Sequence, residues 1–211
     1  MVTKRHAVRR FTDQQIESSV IEEIVDDARR SPSWVDAQET RVFVAMGYVA
    51  KTIRQEYMDH AEKHMIGVSD FTVVHRSEWS AAAQRNMQTL SEDMEAHLGN
   101  EFEEFVHAQD TLFNAPAFLY LTIPKTAAKW AIMDLGAFEQ SILLSATNHG
   151  LGSVVAYSFV KYPDIIRKYV PIPNAYDIAI DIGLGVEDKT ARINTFQAKR
   201  MPVDSILTIM K

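Results

Sequence analysis

The 211-residue chain contains no cysteine. Disulfides, thiolate zinc sites, iron–sulfur clusters, cysteine nucleophiles and redox dithiols are therefore excluded, and a reducing, cytoplasmic setting is expected. A cationic surplus is also missing. The 22 Lys+Arg against 28 Asp+Glu leave a net charge of −6, which argues against nucleic acid as a partner, because phosphate neutralisation needs a clustered basic surface. Long apolar runs are absent. The strongest, Ala115 to Ile123, is broken by Pro116 and is far shorter than the roughly 20 residues of a membrane helix. The charged N-terminus has no apolar stretch behind it, so neither a secretory signal nor membrane association is expected. Glycine numbers only eight. Gly-Leu-Gly occurs at 150–152 and 183–185 without the third glycine of a dinucleotide fingerprint, and neither a Walker loop nor a Gly-x-Ser-x-Gly elbow is present.

What remains is a composition of 46% hydrophobic and 24% charged residues, that of a folded domain spanning 1–211 and acting on small molecules. Apolar residues Ile16, Val20, Ile21, Ile24, Val25 and Ala28 recur at helical spacing and predict a helix over 14–30. Thr12 with Gln15 reads as its capping box, and Phe11 with Ile16 as a hydrophobic staple. Residues 41–46 read as a short buried strand and 48–109 as two or three helices broken near 67–70 and 99–100. A second buried strand is expected at 116–123, a long helix at 127–148 stopped by Gly150, strands at 153–159 and 177–185, and a helix over 162–170 between them. In the last strand Ile178, Ile180, Ile182 and Leu184 are expected to share one face. Gly183 and Gly185 lie on the other, where something can approach the backbone.

On the long helix, Asp134, Ala137, Ser141 and Ser145 form a stripe of small or polar residues. This pattern suits close packing within one subunit or a helix-to-helix dimer contact. His60 and His64 are four apart on an expected helix but lack the glutamate of a zinc-protease motif, so no metal site is assigned. Two basic groups stand out in the acidic chain: Arg5, His6 and Arg9 at one end, Lys199 and Arg200 at the other. A bound phosphate needs such an arrangement, although exposed Arg and Lys are also ordinary solubilising residues.

Taken in order, these segments resemble the nitroreductase family of FMN-dependent oxidoreductases. Arg5-His6-Ala7-Val8-Arg9-Arg10-Phe11 is similar to the family's N-terminal Arg-Arg/His-Ser-x-Arg/Lys-x-Phe motif. Ser31-Pro32-Ser33-Trp34-Val35-Asp36-Ala37-Gln38 is similar to its Pro-Ser-Ser-x-Asn-x-Gln loop. Trp130 to Ala146, with Gln140 and a Leu-Leu pair, resembles its central helix, and Gly150-Leu-Gly152, Pro173, Ile182 to Gly185 and Arg200-Met-Pro202 complete the match.

The resemblance implies an α+β, α/β/α-layered fold. A central mixed, mostly antiparallel sheet would be flanked by helices, with the C-terminal segment extending onto the partner of a homodimer and the helical region of about 48–110 covering the active site. It also turns the stripe of the long helix into a dimer contact. FMN would be bound at the subunit interface. Arg5, His6 and Arg200, with Lys199, would hold its phosphate, and Arg9 would face the pyrimidine edge, where reduction places negative charge. Ser33, Trp34, Asp36, Gln38 and Gln140 fall in segments that contact the cofactor, and Tyr157 and Ser158 would face the flavin's hydride-accepting nitrogen. Three positions depart from the pattern. Ala7 replaces a serine that contacts phosphate, Asp36 replaces an asparagine, and Tyr157-Ser158 replaces a glycine-containing pair. The implied activity is ping-pong electron transfer from NAD(P)H to nitroaromatic, quinone or similar small-molecule acceptors. A relative with a physiological substrate, such as a dehydrogenase, a non-catalytic flavin-binding dimer and a helical interaction protein are the alternatives. Phe71, Trp79, Phe102, Phe105 and Phe113 are candidates either for capping the cleft or for core.

Overall fold

The computed structural model describes residues 2–211. The chain runs α1 (Ser18–Ala28), β1 (Arg41–Met46), α2 (Gly47–Glu62), α3 (Ala81–Leu98), α4 (Phe102–Ala108), β2 (Ala117–Pro124), α5 (Lys129–Asn148), β3 (Gly152–Val155), α6 (Pro163–Tyr169) and β4 (Tyr176–Gly185). The strands form one sheet in the order β1-β2-β4-β3, every pair antiparallel. Parallel pairing is confined to an isolated bridge between Ala7 and Ser153, so the mixed character expected of the sheet resides in that bridge.

Alternation along β2 explains the layering, since successive side chains leave a strand on opposite faces. Leu119 and Leu121 join Ile21 and Ile24 of α1, Ile142 of α5 and Ile182 of β4 in one core. Phe118 and Tyr120 join Ile53 and Tyr57 of α2 and Ile166 of α6 in the other. β2 is therefore apolar throughout, as a strand covered on both faces must be. β1 is an edge strand and not the buried one expected: Ala45 is enclosed, while Val44 is exposed. A register shift beside Leu121/Thr122 moves Ile178 to the α2/α6 core, whereas Ile182 and Leu184 stay with α1 and α5. The expected common face of the four residues is broken by this bulge.

The expected capping box is not formed. Residues 7–12 pair with the sheet instead: Val8 N–H donates to Ser153 O at 2.9 Å, Thr12 N–H donates to Val186 O at 2.9 Å, and Phe11 bridges Glu187. This extended path delays α1 to Ser18, and the Gln15 amide turns back to Asp13 O. The staple fails for the same reason, because Phe11 packs in the α2/α6 core and Ile16 in the α1/α5 core.

The small-residue stripe of α5 is occupied within the chain. Ser145 Oγ donates to Asp27 Oδ2 at 2.7 Å, Ser141 Oγ lies 2.7 Å from Ser31 Oγ, and Asp134 Oδ2 accepts from Trp34 N–H at 3.0 Å. Within the chain the stripe thus packs closely against α1 and the loop that follows it. The face left open carries Trp130, Ile132 and Met133, all exposed.

β3 stops at Val155, short of the expected Phe159, because a 3-10 turn over Tyr157–Val160 folds Phe159 inward. There Phe159 fills the glycine face: a Cβ on Gly183 would stand 2.5 Å from Phe159 Cζ. The break after α2 is longer than expected, spanning 63–80, and is pinned by Asp70, which pairs with Arg167 at 2.7 Å and accepts from Ile178 N–H at 2.7 Å. His64 lies beyond the end of α2 with φ 51, so it does not share a helical face with His60. No helix among the described residues is long and apolar enough to cross a membrane.

Candidate active site

The site begins with one buried asparagine. Asn194 Oδ1 accepts from the backbone N–H groups of Arg9 (2.7 Å) and Arg10 (3.2 Å), while Nδ2 donates to Arg10 O (2.8 Å) and Asp188 O (2.9 Å). All its hydrogen-bonding capacity goes to fixing residues 9–10 against the segment after β4. Sequence reasoning missed Asn194, since a lone asparagine with distant backbone partners leaves no local signal.

Arg9 is held there as a half-buried cation. Its guanidinium stands 6.0 Å from the Phe105 ring, and burial lowers its pKa without approaching neutrality in any ordinary pH range. No carboxylate among the described residues pairs with it. A partly desolvated cation without a counter-charge is costly unless a ligand supplies one. Arg9 lines two cavities, one of ≈ 270 Å³ beside Phe105 and α4 and one of ≈ 440 Å³ at the chain ends.

The larger cavity brings Arg5, His6, Ala7, Arg9, Gln140 and Arg200 together. The two ends of the chain thus converge within a single subunit. Arg200 is oriented by Nη1 donation to Ala198 O (2.9 Å) and Lys199 O (3.2 Å). His6 has both ring nitrogens beside acceptors, Nε2 at 3.0 Å from Glu187 Oε1 and Nδ1 at 3.2 Å from Lys4 O. It lines the cavity with its ring atoms already engaged. Lys199 is turned away: its ammonium donates to Asp93 Oδ1 of α3 at 2.8 Å, and it lines a separate depression. A nearby carboxylate is the stronger local partner for that flexible cation.

The other candidates lie elsewhere on the subunit. Ser33 Oγ accepts from Gln38 N–H at 3.1 Å, the Gln38 amide donates to Asp36 Oδ1 at 2.7 Å, and Trp34 stacks on Trp130 at 4.7 Å. Val35, Asp36 and Gln38 all have positive φ (46, 61 and 49), a conformation that costs non-glycine residues of order 1–3 kcal/mol each. Asp36 and Gln38 are exposed, and this loop borders a third cavity of ≈ 300 Å³. Tyr157 and Ser158 line a fourth of ≈ 260 Å³, into which neither chain end reaches. Ser158 Oγ is buried with no hydrogen-bond partner. Of the candidate aromatics, Phe105 stands beside Arg9, Phe113 packs on Phe159 in the core, and Trp79 is exposed.

In chemical terms, Arg5 and Arg200 suit a phosphate dianion, and the unpaired Arg9 suits an electron-rich ring edge. The three arginines of the chain-end cavity therefore fit the phosphate and the ring edge of a flavin mononucleotide, and the buried, unpartnered Ser158 hydroxyl of the separate cavity leaves hydrogen-bonding capacity for a polar ligand atom.

Comparison with known proteins agrees. Residues 2–186 match the model of the nitroreductase family. The 4-nitrobenzoate reductase of Nocardioides sp. (strain LMS-CY) is 26% identical, the alignment covering 100% of this chain and 88% of the relative. That of Pseudomonas putida is 24% identical over 95% and 89%. Among solved structures, the FMN-dependent nitroreductase NfnB from Mycobacterium smegmatis, in complex with NADPH, superposes with a TM-score of 0.90 at 20% identity, covering 100% of this chain and 96% of that one.

Proposed function

This chain belongs to the nitroreductase family, and we propose that it is an FMN-dependent oxidoreductase that carries electrons from NAD(P)H to nitroaromatic acceptors, carboxylated ones included. The observation that carries this reading is Arg9, an unpaired, half-buried cation whose backbone is fixed by Asn194 where the two chain ends meet. When bound, FMN would supply the two-electron redox chemistry between NAD(P)H and the acceptor. The protein supplies binding, orientation and electrostatics. Arg5 and Arg200 hold the phosphate by charge-assisted hydrogen bonds, with His6 contributing through its place in the cavity wall. Arg9 faces the pyrimidine edge and stabilises the negative charge that reduction places there. The Tyr157–Ser158 turn presents backbone and hydroxyl groups to the ring.

Within one subunit the Ser33–Gln38 loop does not line the cavity of the chain ends. A homodimer accounts for this, each loop serving the partner's cofactor and its left-handed backbone keeping Ser33, Asp36 and Gln38 preorganised. The exposed apolar residues Val203, Ile206, Leu207, Ile209 and Met210 of the C-terminal segment are then covered by the partner. Donor and acceptor share one cleft, which accounts for the missing dinucleotide fingerprint and makes the kinetics ping-pong.

The test is the absorption spectrum of the purified protein followed by anaerobic addition of NADH or NADPH. A yellow protein bleached by one donor and recoloured by a nitroarene is expected. A colourless protein, or colour that persists with both donors, overturns the proposal. Parallel double-reciprocal plots test the ping-pong order, and sedimentation velocity tests the dimer.

A further inference from the structure

The geometry points to Lys161 as a specificity determinant that receives the carboxylate of an anionic aromatic acceptor, an inference that rests on the function proposed above. The cavity of ≈ 260 Å³ beside Tyr157 and Ser158 is also lined by Val106, Gln109, Asp110 and Lys161. It adjoins the turn assigned to the flavin's reactive edge. Its size suits a single substituted ring rather than a dinucleotide.

Lys161 is its one cation and is held in place before any ligand arrives. Gly67 packs against its stem so closely that a Cβ there would stand 2.2 Å from Lys161 Cγ and 2.5 Å from the Lys161 carbonyl oxygen. The ammonium lies 5.0 Å from the centre of the Tyr162 ring. No carboxylate among the described residues forms an ion pair with it. A lysine ordinarily spends much of its binding energy on ordering four methylenes, and this packing removes part of that cost.

Lys161 shares its cavity with the apolar and aromatic walls of Val106 and Tyr157 and with Ser158, whose buried Oγ has no partner. A neutral ring would leave the ammonium unused, and a phosphate would find one cation where the chain-end cavity offers three arginines. An aryl carboxylate uses both the walls and the charge. Asp110 shares the cavity without pairing to Lys161, so its carboxylate repels the same ligand and limits its affinity. Opposite effects of the two residues follow.

The experiment uses the flavin-loaded protein with two non-reducible probes, benzoate and benzamide, titrated by calorimetry and by perturbation of the flavin spectrum. Wild type is expected to prefer benzoate about tenfold, the worth of one charged hydrogen bond. Lys161→Met is expected to abolish that preference, Lys161→Arg to keep most of it, and Asp110→Asn to tighten benzoate several-fold. In turnover, the ratio of KM for 4-nitrobenzoate to KM for nitrobenzene is expected to rise about tenfold in Lys161→Met. Equal binding of both probes by wild type, or a preference that survives Lys161→Met, overturns the assignment. Circular dichroism of each variant separates a binding effect from misfolding, and Lys161→Gln replaces any variant that fails to fold. Absence of nitrobenzene turnover with benzoate preference intact would count against the proposed reaction and leave the carboxylate site standing.

Discussion

Asp181 makes an unusual demand on the fold. It lies in the middle of β4 with no exposed surface, opposite Tyr120 of β2, and neither the two carboxyl oxygens nor the Tyr120 hydroxyl has a hydrogen-bond partner. Burial pushes its pKa well above the usual carboxylate range. The folded state therefore keeps a proton that the unfolded chain loses at its ordinary pKa of about 4. Stability falls as pH rises above that value, by about 1.4 kcal/mol per unit, until the raised folded pKa is reached. Each pH unit inside this window lowers Tm by about 3–6 °C for a chain of this length.

Asp181→Asn removes the titration and leaves the shape nearly unchanged. The variant is expected to match wild type near pH 4 and to become progressively more stable above it, with the gap widening by that slope. Urea unfolding from pH 4 to 8, at one protein concentration because any self-association couples to stability, measures it. Asp26, Glu56 and Asp188 have pKa values lowered by Arg29, Lys168 and Thr190. Their contribution is present above their unfolded pKa values and lost as pH falls through the lowered ones, and it cancels in the comparison. Parallel stability curves for wild type and Asp181→Asn would refute the reasoning.

Arg200→Ala is expected to weaken FMN binding by about 2 kcal/mol, roughly 30-fold in Kd by fluorescence titration; an unchanged Kd removes Arg200 from the phosphate site. Arg9→Gln is expected to make the flavin midpoint potential more negative with a smaller effect on Kd, and a wild-type potential would show that Arg9 does not face the ring. Gly183→Ala forces Phe159 and the turn it anchors to shift, so a loss of about 1–3 kcal/mol in unfolding free energy is expected, together with altered flavin absorbance; Gly136→Ala, where a Cβ meets open space, serves as control. Ser145→Ala breaks the bond to Asp27 and is expected to cost about 1 kcal/mol of stability with the sedimentation coefficient unchanged, whereas a shift toward monomer would assign the stripe to a dimer contact.

Local pattern made some of this architecture legible and long-range geometry hid the rest. The β2 strand was readable because a strand buried on both faces has an unbroken apolar sequence, and α5 because Gly150, at φ 75, stops it where the periodicity ends. Thr12 and Gln15 misled because a capping box is a local signal, and strand-like pairing to Val186 and Glu187, far along the chain, overrides it. The left-handed residues Val35, Asp36 and Gln38, and Leu112 to Asn114, include no glycine, so only Asp36 and Asn114 hint at them in the sequence. Arg5, Arg9 and Arg200 were visible as charge, but the Asn194 network that gives Arg9 its fixed place was not.

That difference bears on how the site works. Charged residues at two ends of a chain can bind phosphate in many geometries, yet tuning a redox centre requires one cation at one distance. Asn194 converts the first situation into the second by spending every side-chain hydrogen bond it has on tying the backbone of Arg9 and Arg10 to Asp188. Asn194→Asp keeps two acceptors, loses both donors to Arg10 O and Asp188 O, and adds a carboxylate near the guanidinium. It is expected to shift the flavin potential in the same direction as Arg9→Gln, because the added negative charge opposes the stabilisation of the reduced ring. Asn194→Ala releases the segment without adding charge and is expected to weaken FMN binding more than it moves the potential. The two variants separate the positioning of Arg9 from its charge, and identical potentials and affinities in both would show that the network has neither role.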